Sequence, residues 1–275
     1  MIEIQNLSFY YHRNRPIFQD VSFRMKSEIY GLLGENGVGK TTLLHIISGL
    51  LFPKEGACRV AGYQSYNRSP EMLKQIFFLP EEFQAPQVSI SEMAKYNSVF
   101  YPHFSQQDFE SYLQELQVEG DRKVSELSAG QKKKAMIAYG LALNVEYTLL
   151  DEPTNGLDIP SKSQFRKILS SVASEDKCII ISTHQVRDLA HLIDPVIILD
   201  RNQVLLNNTV EEITQKLLFT QTEHKPEDAL YAEQGLQGYT SVSLNPSREE
   251  STLNIEILFN AVVNNKQVFK QLFNS

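Results

Sequence analysis

A glycine-rich loop between an apolar strand and a helix constrains this chain more than any other part of its sequence. Residues 34–41 read GENGVGKT and fit the pattern G-x-x-x-x-G-K-[ST]. The apolar residues 29–33 before the loop predict a strand, and residues 41–49 after it predict a helix that ends at a glycine. In this context the backbone N–H groups of the loop surround a polyphosphate, and the following helix presents its positive N-terminus to the same anion.

The side chains of this loop predict separate contacts to a nucleoside triphosphate. Lys40 would reach the β- and γ-phosphates, the Thr41 hydroxyl would ligate Mg²⁺, and Thr42 would hydrogen-bond the α-phosphate. The other nucleotide-binding residues predicted in the loop are Gly34, Asn36, Gly37 and Gly39. By itself the loop indicates a P-loop nucleotide binder, a class that includes kinases, GTPases, helicases and transport motors.

Two carboxylates end an apolar strand well downstream of this loop. Residues 147–153 read YTLLDEP, and the carboxyl end of a strand in a parallel sheet opens onto the ligand crevice. Because successive strand residues point in opposite directions, Asp151 and Glu152 should differ in role. We expect Asp151 to hold Mg²⁺ through water and Glu152 to polarise the water that attacks the γ-phosphate. The alternative, an acidic helix N-terminus, is the minor hypothesis because the loop lies upstream.

Strand-like and helix-like segments alternate from residue 1 to about residue 220. This alternation predicts an α/β fold, a P-loop NTPase core with a mostly parallel sheet, as one nucleotide-binding domain over residues 1–220. Strands at 2–10 and 21–25 predict an antiparallel β subdomain at the N-terminus. Further strands of the core are predicted at residues 147–150, 178–182 and 196–199.

Two segments fall outside this alternation. Residues 86–125 show helical spacing with no strand between the helices, and each of those helices follows a serine cap candidate, so we expect an α-helical insertion. Residues 220–226 are polar and predict a linker to a small C-terminal extension over residues 221–275. The helices predicted in these two segments span residues 89–100, 105–116, 255–263 and 266–273.

The amino-acid composition limits which partners and which cellular compartment are expected for this chain. The formal net charge of −7 argues against nucleic acid as a partner and against an anionic bilayer surface. Only two cysteines occur, Cys58 and Cys178, which argues for a reducing compartment and against a disulfide framework. No stretch approaches the ~18 apolar residues that span a bilayer, and the start lacks a signal-peptide pattern. Any membrane role is therefore expected to require a partner.

Residues 127–131 read LSAGQ and resemble the LSGGQ signature of ABC ATPases, with Ala129 in place of the first glycine. Ser128 would cap a helix whose free N–H groups suit a phosphate. The resemblance implies that Ser128, Gly130 and Gln131 contact the γ-phosphate of a nucleotide held by a second subunit. Dimerisation would then depend on ATP, and we expect Ala129 to preserve this function.

The other motifs of that family follow in order. Residues 155–158, NGLD, resemble the D-loop that crosses the dimer interface. His184 matches the switch histidine that contacts the γ-phosphate. Tyr11 matches the aromatic residue that stacks on adenine, and the neighbouring Tyr10 is the alternative. Glu81 stands where the family usually has a glutamine that contacts Mg²⁺ and the attacking water. Its carboxylate can accept from water and ligate Mg²⁺, but it cannot donate a hydrogen bond while ionised.

The run of three lysines after the signature and the apolar residues of the insertion each have a structural and a functional interpretation. Lys132, Lys133 and Lys134 predict a solvated helical face. The alternatives are a positive field near the second subunit's γ-phosphate and, third, nucleic-acid binding. In transport ATPases the helical insertion forms a groove for a helix of the membrane subunit. Candidate lining residues here are Phe83, Met93, Tyr96, Phe100, Tyr101 and Phe104.

The resemblance implies an ATP-hydrolysing motor subunit of an ABC membrane transporter of the export type. Its catalytic residues would be Lys40, Glu152 and His184, its metal ligands Thr41, Glu81 and Asp151, and its cofactors ATP and Mg²⁺. We expect a homodimer that docks on a separately encoded transmembrane permease, at the cytoplasmic face of the cell membrane, with no nucleic-acid partner. The alternatives are a soluble ABC ATPase of translation or DNA repair and a regulatory module that holds ATP without hydrolysing it.

Overall fold

The strand order of the central sheet brings distant parts of the sequence together. In this computed structural model, which describes residues 1–185 and 191–273, β3 (Ile29–Leu33) lies between β9 (Val196–Asp200) and β8 (Cys178–Thr183). Strand β7 (Tyr147–Asp151) lies beyond β8. All four strands are parallel, so their carboxyl ends meet at one edge of the sheet.

Two further strands extend this sheet at its ends. β6 (Ile76–Leu79) pairs in parallel with β7, and β10 (Gln203–Asn208) pairs antiparallel with β9. Every residue of β7, β8 and β9 is buried, as in parallel strands that helices cover on both faces. The predicted core strands at 147–150, 178–182 and 196–199 are confirmed, and each continues one residue further.

The N-terminal part of the chain forms a separate antiparallel sheet. Its strands are β1 (Ile2–His12), β2 (Arg15–Met25), β4 (Glu55–Val60) and β5 (Tyr63–Gln64), in the order β2-β1-β4-β5. Alternate residues of β1 are buried, which is the pattern of a sheet with one face on the core. The predicted antiparallel subdomain is confirmed, although β2 begins before the predicted start at residue 21.

Helices cover the central sheet. α1 (Lys40–Ile47) packs against β4 and β7, and α5 (Ala129–Ala142) packs against β6. α2 (Pro70–Leu73), α6 (Ile159–Val172) and α7 (Val210–Lys216) also belong to this part of the fold. α1 therefore follows the glycine-rich loop, and α5 begins within the LSAGQ segment, directly after Ser128, as the predicted cap requires.

The insertion consists of α3 (Ile90–Asn97) and α4 (Gln106–Glu115), both of which pack on α5. Ser89 and Glu92 form a reciprocal capping box at the start of α3. Ser105 caps α4 by accepting a hydrogen bond from the Asp108 N–H at 3.1 Å. Both predicted serine caps are confirmed, because each satisfies an N–H group that a helix start leaves free.

The C-terminal part of the chain combines three strands with two helices. β11 (Leu217–Thr222), β12 (Tyr231–Gly235) and β13 (Gly238–Leu244) form an antiparallel sheet in the order β11-β13-β12. α8 (Ile255–Asn264) and α9 (Lys266–Phe273) agree with the predicted helices to within one residue. The prediction of a linker at 220–226 is wrong for its first three residues, because they pair with β13 and complete β11.

This C-terminal unit shares its apolar core with the central sheet. Leu258 of α8 and Phe269 of α9 are fully buried in the same cluster as Ile198 of β9. The Lys266 Nζ also lies 2.6 Å from Asp200 Oδ2, at the carboxyl end of β9. The extension therefore covers the β9 side of the edge where the strand ends meet.

Among the residues that the structure describes, no helix is long and apolar enough to cross a bilayer.

Candidate functional site

The glycine-rich loop ends in a backbone conformation that glycine adopts readily. Gly39 has a φ of 114° and forms the N-cap of α1, and a Cβ would strain this conformation. A Cβ there would also lie 2.6 Å from Ile17 Cγ2. Gly39 has no side chain that could cap α1, so the first N–H groups of the helix remain available to an anion. Such groups bind phosphate.

Lys40 lies inside the loop, and only 7% of its surface is exposed. Its Nζ donates hydrogen bonds to Gly34 O at 2.7 Å and to Glu35 O at 3.2 Å. Burial lowers the pKa of this ammonium group, and nearby carboxylates, Glu152 first among them, oppose the shift. A triphosphate in the loop would offer this ammonium stronger acceptors than two backbone carbonyls.

Thr41 and Asp151 form the part of the site that fits a metal ion. The Thr41 hydroxyl donates to Asp151 Oδ2 at 2.7 Å, and the Ser182 hydroxyl donates to the other oxygen of the same carboxylate. Asp151 is 1% exposed. Mg²⁺ prefers hard oxygen ligands and is usually held by one or two protein oxygens together with phosphates. The pair therefore fits Mg²⁺ beside a bound triphosphate.

Glu152 turns away from Asp151 and contacts His184. Its Oε1 lies 2.7 Å from His184 Nδ1. Its Oε2 is buried and has no hydrogen-bond partner among the described residues. Buried acceptors without partners are rare in proteins, and an unfilled carboxylate oxygen in a polar cleft suits a water molecule. The two adjacent acids therefore have different neighbours. Strand alternation is not the reason, because β7 ends at Asp151 and Glu152 has a φ of 45°.

Glu81 connects to the D-loop segment. Its Oε1 accepts a hydrogen bond from Asn155 Nδ2 at 2.9 Å, and Asn155 Oδ1 accepts one from Gln185 Nε2 at 3.1 Å. An ionised carboxylate can accept this hydrogen bond, because accepting requires no proton on Glu81. The side chain at position 81 is thus linked to the residue next to His184 through Asn155.

A cleft of about 370 Å³ brings most of the predicted residues together. Its lining contains Tyr11, Ile17, Asn36, Gly37, Gly39, Lys40, Thr41, Thr42, Glu81, Asp151, Glu152 and His184. Gly34 lines a neighbouring cleft of about 260 Å³ together with His184 and Phe259 of α8. Sequence reasoning missed Ile17 and Phe259, because neither belongs to a motif and Phe259 comes from the extension.

Tyr11 stands at the rim of the cleft. It is 56% exposed, and its hydroxyl lies 3.2 Å from Thr42 Oγ1. The ring makes an edge contact with Phe9, with 5.0 Å between the centroids. One face of this aromatic side chain is therefore available beside the loop, where the predicted stacking on a base would take place.

The LSAGQ residues lie outside this cleft. Ser128 Oγ accepts from the Gln131 N–H at 3.3 Å, and Gln131 Oε1 accepts from the Ser128 N–H at 3.2 Å, so the two form a capping box at the start of α5. A Cβ at Gly130 would lie 2.9 Å from Gly156 O, so the signature packs closely on the D-loop. Among the described residues, Ser128, Gly130 and Gln131 do not line the cleft of their own subunit, and their contact to a second subunit stays a prediction.

Lys133 departs from the predicted solvated face of residues 132–134. Only 6% of its surface is exposed, and its Nζ donates to the backbone O of Glu152 at 3.0 Å. Burial lowers the pKa of this ammonium group, and the carboxylates of the cleft oppose the shift. The prediction is wrong for this residue. The available signal was helical spacing, because Lys133 precedes the apolar Ile137 by four positions and shares its helix face.

A second, apolar groove lies between the insertion and the central sheet. It has a volume of about 700 Å³, and its lining includes Phe77, Met93, Phe100, Tyr101 and Tyr139. Of the six predicted lining residues, Met93, Phe100 and Tyr101 line it. Tyr96 is 63% exposed, whereas Phe83 and Phe104 pack against the core.

Comparison with known proteins identifies the family. The model of the ABC transporter family matches residues 18–155. A putative ABC transporter ATP-binding protein of Pyrococcus furiosus is 30% identical over 222 residues, which cover 77% of this chain and 85% of the relative. The ABC transporter ATP-binding protein NatA of Bacillus subtilis is 30% identical over 204 residues, which cover 71% of this chain and 82% of the relative.

Solved structures support the fold. An ATP-binding subunit of an ABC transporter superposes with a TM-score of 0.69 at 24% identity, covering 77% of this chain and 91% of that one. A bacterial ABC transporter cassette solved as a dimer superposes with a TM-score of 0.67 at 23% identity, covering 76% and 98%. With the cleft at the glycine-rich loop and the acidic pair beside it, the chain belongs to the ABC transporter family and is one of its ATP-binding, ATP-hydrolysing subunits.

Proposed function

We propose that this subunit drives an export-type ABC transporter by binding Mg-ATP between two copies of the chain and hydrolysing it. The observation that carries the proposal is the convergence of Lys40, Thr41, Asp151, Glu152 and His184 on one cleft. Lys40 and Thr41 begin α1, Asp151 and Glu152 lie at the end of β7, and His184 directly follows β8. Together they offer phosphate, metal and water contacts within the reach of one triphosphate.

Glu152 is the general base in this proposal. Its unpartnered Oε2 accepts the proton of the attacking water, while His184 holds the carboxylate through Oε1 and contacts the γ-phosphate. Lys40 stabilises the charge that develops on the transferred phosphoryl group. The buried position of the carboxylate keeps its orientation fixed before the water arrives.

Thr41 and Asp151 would hold Mg²⁺, with Glu81 nearby on the same cleft. The ion, when bound, supplies positive charge that neutralises the β- and γ-phosphates. Glu81 differs from the family's usual glutamine by its negative charge, which favours a cation close to it. We therefore propose Glu81 as a third metal-contacting residue. Contact with the metal would replace the hydrogen bond that Glu81 accepts from Asn155.

The composite site is completed by a second copy. Ser128 and Gly130 lie away from their own cleft and at the start of a helix, where free N–H groups suit a phosphate. The dimeric solved structure of a bacterial cassette supports such an arrangement for this fold. Tyr11 is proposed to stack on the adenine of the nucleotide held by its own loop.

The apolar groove at the insertion is the proposed docking site for a transmembrane permease subunit. Phe100, which lines the groove, is 68% exposed, and the preceding Val99 is 75% exposed. Exposed apolar surface of this kind indicates a protein partner. Docking there would place the subunit at the cytoplasmic face of the membrane. We propose the export direction because the acidic pair Glu81-Glu82 resembles the residues that export-type ATPases carry at this place.

The test is co-purification of the full chain from native membranes in mild detergent. We expect a stoichiometric polytopic membrane protein, and we expect Phe100→Asp to abolish its recovery without changing ATP binding. Phe52→Asp is the matched control, because Phe52 is another exposed aromatic, 59% accessible, that does not line the groove. Recovery of ribosomal or DNA-bound material instead of a membrane protein would overturn the transporter proposal. A co-purifying extracellular solute-binding protein would overturn the export direction alone.

A further inference from the structure

Lys133 is a buried cation that the mechanism above does not use. It lies on α5, and 6% of its surface is exposed. Its Nζ donates a hydrogen bond of 3.0 Å to the backbone O of Glu152, and this bond is itself buried. Lysine is almost never buried unless it is paired, so the burial of Lys133 indicates a specific role for its ammonium group.

The backbone of Glu152 has an uncommon conformation. Its φ is 45°, in the left-handed region that side-chain-bearing residues rarely occupy. The Glu152 N–H donates to Ser182 O at 3.1 Å and to Ser182 Oγ at 3.2 Å. Ser182 therefore holds the peptide group before the Glu152 Cα, and Lys133 holds the peptide group after it through the carbonyl.

The same helix carries the signature at its start. Ser128 is the N-cap of α5, and the Lys132 N–H donates to Ser128 O at 2.8 Å, so Lys133 lies in the second turn of the helix. A helix moves largely as one body over such a short distance. A displacement at the signature therefore reaches the Lys133 ammonium, and through it the carbonyl of Glu152.

We infer that Lys133 is a positioning residue that connects the signature helix to the carboxylate proposed as general base, so that engagement of the second subunit's nucleotide sets the orientation of Glu152 in its own cleft. The inference rests on the proposed role of Glu152. It differs from a direct phosphate contact, because Lys133 faces the backbone of its own subunit and does not line the cleft.

The chemistry of the contact requires a long side chain with a donor at its end. The apolar stem of lysine crosses the buried face of α5, and the ammonium reaches the carbonyl. A methionine at this position keeps the apolar stem but removes the donor. An arginine keeps a charged donor. These two variants separate packing from hydrogen bonding.

The experiment measures steady-state ATP hydrolysis by the full chain over a range of ATP concentrations, together with the binding of a fluorescent ATP analogue. For Lys133→Met we expect kcat to fall about ten- to one hundred-fold, the range for the loss of a hydrogen bond from a charged donor. The KM and the affinity for the analogue should stay within about twofold of wild type. Lys133→Arg should recover most of the rate.

Lys132→Met is the matched control, because Lys132 is the preceding lysine on the same helix and is only partly buried. It should leave kcat unchanged. An equal loss in both lysine variants would indicate a general effect of charge and would overturn the inference. Wild-type kcat in Lys133→Met would do the same. If Lys133→Met does not remain folded, Lys133→Leu, which also removes the donor and keeps an apolar side chain, replaces it under the same two criteria.

A double-variant cycle separates this inference from the proposed role of Glu152. If Lys133 acts through Glu152, then Lys133→Met should have little further effect in a Glu152→Gln background. The same fold-loss in both backgrounds would refute the positioning role and leave the general base intact. Near-normal turnover of Glu152→Gln alone would remove the general base, a different failure that the cycle reports separately.

Discussion

The Nδ1 of His184 lies 2.7 Å from Oε1 of Glu152, and this contact leaves only Oε2 of the carboxylate without a partner among the described residues. The histidine side chain is 41% exposed, whereas that of Glu152 is 6% exposed. The histidine therefore reaches from the surface of the cleft to a carboxylate beneath it. One oxygen is fixed and the other is available, which is the geometry expected of an oriented base.

Replacing Glu152 by glutamine should stop hydrolysis while ATP binding persists. The amide cannot accept the proton of water, so we expect kcat to fall by about 10²- to 10⁴-fold, the range for a general base. Because the γ-phosphate then remains, the ATP-bound dimer should accumulate and elute as a dimer in size-exclusion chromatography with ATP. Glu146→Gln is the control, since Glu146 is an exposed acid at the other end of β7. Turnover close to that of the control would exclude Glu152 as the base.

Replacing His184 by alanine should lower kcat with little change in nucleotide affinity. The variant removes the group that fixes Glu152 Oε1 and so leaves a second buried oxygen without a partner. We expect a loss of about tenfold or more, measured as the ratio of kcat to wild type. His191→Ala, at an exposed histidine, should behave as wild type. A change in KM alone would mean that His184 only binds the nucleotide.

Replacing Lys40 by alanine should weaken nucleotide binding. Charge-assisted contacts to phosphate contribute about 1.5–3 kcal/mol each, so the dissociation constant of ATP should rise about ten- to one hundred-fold. Isothermal titration calorimetry of the full chain with ATP measures this directly. Lys26→Ala, at an exposed lysine, is the control. Unchanged affinity in Lys40→Ala would contradict the phosphate-binding assignment of the loop.

Replacing Glu81 by glutamine should raise the Mg²⁺ concentration needed for half-maximal hydrolysis. The substitution removes one negative charge from the cleft but retains an acceptor oxygen for Asn155. Titration of the ATPase rate with Mg²⁺ at fixed ATP reports the shift. Glu82→Gln, at the adjacent exposed acid, should leave the midpoint in place. An identical midpoint in Glu81→Gln would show that the carboxylate does not contact the metal.

Replacing Gly140 by alanine should destabilise the protein, although alanine favours helices. A Cβ at this position of α5 would lie 1.9 Å from Phe77 Cε1. Helix propensity gains about 1 kcal/mol, while overpacking a core costs about 1–3 kcal/mol. The 1.9 Å approach places this site at the upper end of that range, about 2–3 kcal/mol, so the net change should be a loss of about 1–2 kcal/mol. Thermal unfolding monitored by circular dichroism measures it. Because Phe77→Leu makes room, the double variant should lose less than the sum of the two single changes.

Local sequence patterns were sufficient to predict the helices and strands. They were also sufficient to predict the two separate parts of the site, the phosphate loop and the acidic pair. The strand before residue 34, the phosphate loop and the helix after it are adjacent in sequence, so their geometry follows from nearest neighbours. The serine caps at Ser89 and Ser105 depend on an N–H three residues away. The apolar strands of the core were recognised for the same reason, because burial on both faces leaves an uninterrupted apolar run.

Only the tertiary structure decided which of these pieces meet. The side-by-side order of β3, β8 and β7 places His184 on Glu152 and Thr41 on Asp151, and no local pattern encodes strand order. The burial of Lys133 and the approach of Phe259 to the loop depend on how α5 and the C-terminal extension pack. The sequence by itself therefore determined the family, the elements and the reactive groups. Long-range packing decided their contacts, because those contacts join residues that are far apart along the chain.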